Sequence, residues 1–244
     1  VQVAIMAPTE ILANQHYRSF KKYTDSAQIS CALLVGGMPA KERNKILSGL
    51  KNHKIDIVIG THALIQKDIE FNSLGLVVVD EQHRFGVNQR NLLIQKGINP
   101  HLLSMTATPI PRTLAITYHG DMDLSVIDEI PKNRIPVVTK MVDEKRLNKV
   151  YSFIIDEVKA GKQCMIVHPL IEESEKSDLL AAIDMYDTLS TTVFKELNVG
   201  LLHGRQDKLQ KEKIMHDFSK NKINILLSTT VIEVGIDVPN ATVM

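Results

Sequence analysis

Two hydrophobic rhythms alternate along the chain. Short runs of consecutive apolar residues are separated by longer stretches in which apolar side chains recur every three or four positions. The short runs predict strands at Val3–Ala7, Ile29–Val35, Ile55–Ile59, Leu76–Val79, Leu102–Met105, Val137–Val142, Gln163–His168, Val199–Leu202 and Ile223–Leu227. The final "ATVM" reads as the start of another strand. Among the helices, Leu147, Val150, Tyr151, Ile154, Ile155 and Val158 form one apolar stripe. Over Lys208–Phe218, Ile214, Met215 and Phe218 share a face. Thr108 followed by Pro109 has the form of an N-cap and first helical position, opening a helix through Tyr118. Strands apolar at consecutive positions and separated by helices imply parallel sheets covered on both faces, hence an α/β fold. Near "EIPKNRIP" two prolines flank charged and polar residues, after which the alternation restarts. This predicts two domains, residues 1–134 and 135–244. The polar stretch Glu172–Asp178 reads as an exposed loop or insertion, and no internal sequence repeat is visible.

Composition narrows the picture only a little. The chain is 44% hydrophobic and 23% charged, without Trp, so aliphatic side chains must fill its cores. A formal net charge of +1 provides no broad basic field, so a nucleic-acid partner has to be held by local contacts. No apolar run approaches a membrane span and no signal-peptide pattern opens the chain. Cys31 and Cys164 lie in strand-like segments without metal-ligand spacing, which predicts reduced, buried thiols in a cytosolic protein. A first residue that is not Met and a last one inside an apparent strand suggest a piece of something longer.

Polar clusters follow the predicted strands. Thr9 and Glu10 come after the first, Thr61 and His62 after the third, and Asp80-Glu81-Gln82-His83 after the fourth. Thr106 and Thr108 follow the fifth, His203 and Arg205 the strand at Val199–Leu202, and Thr229 and Thr230 the one at Ile223–Leu227. Any one of these is as much a capped helix start as a site, because Ser and Thr are ordinary N-caps. Together they belong on the carboxyl edge of parallel sheets, where ligands collect. Adjacent carboxylates at a strand end suit a hydrated Mg²⁺ and a base for an attacking water. Unrelated metal chemistry at Asp80 and Glu81 is an alternative, but it leaves the hydroxyl clusters without a role.

Asp80-Glu81-Gln82-His83 resembles the Walker B element of superfamily 2 helicases, and "SMTATPIPRTLA" (Ser104–Ala115) is similar to their motif III. "APTEILANQH" and "GTHALIQ" resemble motifs Ia and Ib, and "LLHGRQDKLQKEKIMHDF" and "STTVIEVGIDVPNA" resemble motifs IVa and V. Two families within the superfamily share such runs, the RecG-type branch-migration helicases and the transcription-repair coupling factors. "DLSVIDEIPKNRIPVVT" and "PLIEESE" look like the RecG type.

The resemblance implies two RecA-like domains, each a parallel sheet flanked by helices, and an ATP-dependent translocase acting on branched double-stranded DNA. In that pattern Asp80 holds Mg²⁺ through water, Glu81 is the general base for ATP hydrolysis, and Gln82 and His83 couple the γ-phosphate to Thr106 and Thr108. Thr9, Glu10, Thr61, His62, Thr229 and Thr230 meet the DNA backbone, and Gly235 and Asp237 face the nucleotide. A nucleic-acid-binding module without catalysis remains the rival from another class. No G-x-x-x-x-G-K-[ST] loop occurs in the sequence; the family places it upstream of Val1 after a central strand, and an arginine-rich motif VI beyond Met244. The expectation is therefore a first domain that is marginally stable or associates, and negligible ATP hydrolysis by these 244 residues alone.

Overall fold

A computed structural model describes residues 1–108, 122–131, 135–168, 175–229 and 237–244. They fall into two compact units, Val1–Arg134 and Ile135–Met244.

In the first unit, strands β1 (Gln2–Met6), β2 (Cys31–Leu34), β3 (Ile57–Gly60), β4 (Leu74–Val79) and β5 (His101–Ser104) form one sheet in the order β2-β3-β1-β4-β5. Every pairing is parallel, with Ile5 opposite Ile59 and Val78, so all carboxyl ends share one edge. Alternate residues point to opposite faces. Ala4, Met6, Val58, Val77 and Val79 pack with Leu50 of α2 (Ala40–Lys51) and Leu93 of α3 (Val87–Ile94). Ile5, Ile59 and Val78 pack with Leu12 and Ala13 of α1 (Glu10–Ala27). The consecutive apolar runs of the sequence thus reflect burial on both sides.

Helix α1 starts where Thr9 leaves extended backbone and its hydroxyl accepts the Leu12 N–H, with Glu10 in the first turn. It stops at Gln28, which takes the left-handed conformation as the N–H groups of Gln28 and Ile29 close on the Thr24 carbonyl. At the carboxyl end of β3, Gly60 admits no side chain, since a Cβ there would stand 2.1 Å from the Leu34 carbonyl oxygen. Among the described residues the five strands pair without an internal break. Unpaired backbone lies at the edges, where Leu103 on β5 is half exposed and the Ser104 hydroxyl is buried without a partner.

The second unit repeats the plan. Strands β6 (Gln163–Val167), β7 (Val199–Leu202), β8 (Ile225–Ser228) and β9 (Ala241–Val243) pair in parallel in the order β7-β8-β6-β9. The apolar stripe of α4 (Leu147–Lys159) lies on one face, where Ile154 and Val158 meet Cys164, Ile225 and Leu227. On the other face Phe218 of α6 (Lys208–Ser219) meets Met165, Leu202 and Leu226, and Ile214 and Met215 pack beside it.

Three sequence expectations are corrected. Val137–Val142 forms no strand; among the described residues the segment pairs with no other, and Val137 and Val138 are 83% and 75% exposed. β-branched residues favour a strand only where a neighbouring strand offers hydrogen bonds and a face to cover. The stretch read as a loop from Glu172 to Asp178 instead runs into α5 (Glu175–Thr191). Cys31, on the edge strand β2, is only partly covered, whereas Cys164 is buried. Burial still pushes the Cys31 thiol up to about 11 and that of Cys164 to about 12, so neither is a ready thiolate. The helix expected from Pro109 to Tyr118 lies outside the described residues. Among the described residues, no helix is long and apolar enough to cross a membrane.

Candidate functional site

The carboxyl edge of the first sheet gathers most of the polar clusters. Beyond β4 the ladder continues for one residue, as the Asp80 N–H donates to the Met6 carbonyl at 2.9 Å. The chain then turns sharply at Glu81, which sits in the left-handed region at φ 48° and ψ 55°. A non-glycine residue there stores on the order of 1 kcal/mol of strain and persists only where its surroundings hold it. Those surroundings are visible. Asp80 Oδ1 accepts the Glu81 N–H at 2.9 Å, and the Gln82 N–H donates to the Met105 carbonyl just past β5 at 3.1 Å. The result is a buried Glu81, 7% exposed, beside an Asp80 side chain that is partly buried, 18% exposed.

The turn is tied to its neighbours by side chains as well. His16, on α1, donates through Nε2 to Asp80 Oδ2 at 2.7 Å. His83 Nδ1 stands 3.6 Å from Glu81 Oε2 and 3.5 Å from Thr106 Oγ1. Thr106 Oγ1 in turn accepts the Thr108 N–H at 3.1 Å. Arg90 of α3 donates to Gln82 Oε1 at 3.3 Å, while its buried Nε has no partner. The four residues of the acidic turn and both motif III threonines therefore form one connected group.

The other predicted residues of this domain lie on the same edge. Thr9 follows β1, and its hydroxyl already serves as the α1 cap; Glu10 is the first residue of that helix. Thr61 is buried just past β3, its N–H reaching the Leu34 carbonyl at 3.4 Å. His62 is exposed and opens a short 3-10 turn, with its ring 5.4 Å from that of Phe85, the buried residue closing the acidic turn. This ring contact links the Thr61–His62 turn to the Asp80–His83 turn.

In the second domain Thr229 is buried just past β8, its N–H donating to the Leu202 carbonyl at 3.2 Å. Thr230 and Gly235 lie outside the described residues. Asp237 is exposed on the segment leading into β9. His203, past β7, has a buried Nδ1 without a partner, and burial together with Lys211 and Arg205 holds its pKa below the ordinary histidine value.

Sequence reasoning gave no role to His16 or Arg90. His16 is separated from Asp80 by 64 positions, and its place at the end of the "APTEILANQH" run, on the helix that follows the first strand, was the hint that it shares the edge. Among the described residues no cluster of three or more His, Cys, Asp or Glu could enclose a metal ion. A cation at Asp80 would thus take most of its shell from water and phosphate oxygens, as Mg²⁺ does at nucleotide sites. The residues present fit that group.

The chain is similar to known helicases in sequence and in fold. Residues 1–117 match the DEAD/DEAH box helicase family and residues 145–244 the helicase conserved C-terminal domain. The ATP-dependent DNA helicase RecG of Thermotoga maritima is 52% identical over 243 residues, covering all of this chain and 31% of that protein. RecG of Bacillus subtilis is 50% identical over 243 residues, covering all of this chain and 36% of that protein. The chain thus spans about a third of the length of the curated relatives it matches. The structure of RecG bound to a three-way DNA junction superposes with a TM-score of 0.74 at 48% identity, covering 98% of this chain and 31% of that one. The DEAD-box helicase Mss116 bound to single-stranded RNA and UDP-BeF shares the fold, at a TM-score of 0.72 and 21% identity over 99% of this chain and 53% of that one. Two RecA-like domains, two helicase family matches and identity near one half over the whole chain agree: the chain belongs to the superfamily 2 helicases, in their RecG family.

Proposed function

We propose that this chain is the two-domain motor region of an ATP-dependent DNA translocase that remodels branched double-stranded DNA in recombination and repair, in the cytoplasm. The observation that carries the reading is the acidic turn. Asp80 and Glu81 stand at the carboxyl edge of a fully parallel sheet, one carboxylate partly buried and one buried, and the turn is wired to Thr106 and Thr108. Asp80 would hold Mg²⁺ through water, and the bound ion would neutralise charge developing on the phosphate oxygens. Glu81, shielded from bulk solvent and held by its strained turn, orients the attacking water and takes its proton. Gln82 and His83 pass the state of the terminal phosphate to Thr106 and Thr108. Gly235 and Asp237 complete the nucleotide contacts.

On the polynucleotide side we assign the backbone contacts to Thr9, Glu10, Thr61 and His62 of the first domain and to Thr229 and Thr230 of the second, small polar residues and helix starts that follow strands in the sequence. These suit phosphates without reading sequence, in keeping with the near-neutral net charge. Each domain then has its own grip on the backbone, and motion follows if nucleotide alters the two grips unequally. The test is ATP turnover by the full-length protein with a three-way junction, with linear duplex and without DNA. The junction is expected to stimulate most. Turnover equal in all three conditions would refute the reading.

A further inference from the structure

We infer that His16 is a positioning residue for ATP hydrolysis, fixing the Asp80 carboxylate and tying it to the start of α1; this rests on the reading of Asp80 as the magnesium-side carboxylate. A carboxylate on a short side chain ordinarily rotates, and a freely rotating one presents no fixed lone pairs to a hydrated ion. Asp80 is gripped at both oxygens. The Glu81 N–H holds Oδ1 at 2.9 Å, and His16 Nε2 holds Oδ2 at 2.7 Å. Each oxygen keeps a second lone pair free, and these remaining lone pairs are now aimed. The two side chains are 24% and 18% exposed, so water competes only partly for the bond.

The histidine itself is held. Leu12 and Ala13 on the same helix are buried against Ile5, Ile59 and Val78, which seats α1 on the sheet and sets the distance from His16 to the end of β4. That helix begins at the Thr9 cap, seven residues or roughly 10 Å away along the axis. A single rigid element therefore joins the Thr9–Glu10 turn to the carboxylate. Second-layer partners of this kind typically change metal affinity when removed, without touching the metal.

The test uses the full-length protein with His16→Ala, His16→Gln and Asp80→Asn. The readouts are the Mg²⁺ concentration giving half-maximal ATP hydrolysis and the binding of a fluorescent ADP in EDTA. His16→Ala is expected to raise the half-saturating Mg²⁺ concentration roughly tenfold while leaving metal-free nucleotide binding within about twofold. His16→Gln, whose amide N–H reaches the same oxygen, is expected to recover most of the loss. Should the alanine variant not fold, His16→Phe keeps the ring volume without the donor and carries the same expectation. An unchanged Mg²⁺ requirement would overturn the inference, as would a glutamine variant no better than alanine. An equal loss of metal-free nucleotide binding would also overturn it, by showing a merely structural role. Asp80→Asn separates the two levels: if it too leaves the Mg²⁺ requirement unchanged, the magnesium reading of Asp80 itself is wrong.

Discussion

Gln2 in the first domain and Gln163 in the second are fully buried amides at the start of equivalent strands, β1 and β6. Gln2 Nε2 donates to the carbonyls of Leu50 and Ile55, and Gln163 Nε2 to those of Phe218 and Ile223. Each amide thus bridges the end of a helix to the turn that enters the neighbouring strand. The correspondence extends across both sheets. His53 and Asn221, each at positive φ, make the turn after α2 and α6. Asp56 accepts from Ser30 where Asn224 accepts from Asn198. Thr61 and Thr229 follow β3 and β8 with the same backbone bond to the strand beside them. The scaffolds match strand for strand, β2-β3-β1-β4 against β7-β8-β6-β9, and in the first domain the acidic turn follows β4. Chemistry is thus placed by a few residues at strand ends on a frame that is used twice.

The comparison can be broken by removing the shared amide. Gln2→Leu and Gln163→Leu each strand two carbonyls and are expected to cost about 2–4 kcal/mol in their own domain. Denaturant unfolding followed by a probe in each domain checks this, and a large loss in one domain with none in the other would show the bridges are not equivalent.

A pair of variants, with effects comparable to or smaller than these, tests where the frames diverge. Gly60 corresponds to Ser228 in register, Gly60 opposite Leu34 and Ser228 opposite Leu202. Gly60→Ser meets the Leu34 carbonyl and is expected to cost about 3 kcal/mol, at the upper end of overpacking. Ser228→Gly loses one hydrogen bond to the Thr229 carbonyl, about 1 kcal/mol. Equilibrium unfolding of the two variants gives the contrast directly.

The smallest difference depends on pH. The Ser30 hydroxyl and N–H, in that order, hold the Asp56 carboxyl below the usual aspartate range. Its contribution is complete above about pH 4 and is lost as pH falls through the depressed folded value. Asn224 does not titrate. Asp56→Asn should therefore flatten the acid side of the first domain's stability curve and leave the second domain's unchanged, as measured by thermal unfolding across that range.

The sequence made the strand ends legible because a buried parallel strand is apolar on consecutive positions and stops abruptly at polar residues. Asp80–His83, Thr61 and Thr229 stood out for that reason. Gln2 and Gln163 did not, because a polar residue opening an apolar run looks like a boundary until its carbonyl partners are known. The repeat of the two domains was hidden for a related reason: the shared bonds are largely made by backbone, and backbone register leaves little trace in residue identity. His16 with Asp80, and Arg90 with Gln82, needed the tertiary fold to bring helix and strand end together. Val137–Val142 misled in the opposite direction, since local β propensity carries no information about whether a partner strand exists.

The account rests on Glu81 acting as the base within the acidic turn. ATP hydrolysis by the full-length protein carrying Glu81→Gln, at saturating three-way junction DNA, tests that most directly. Turnover is expected to fall by a factor on the order of 10² to 10⁴ while ATP and DNA still bind. Turnover within about tenfold of the unmodified protein, below the usual contribution of a general base, would contradict it.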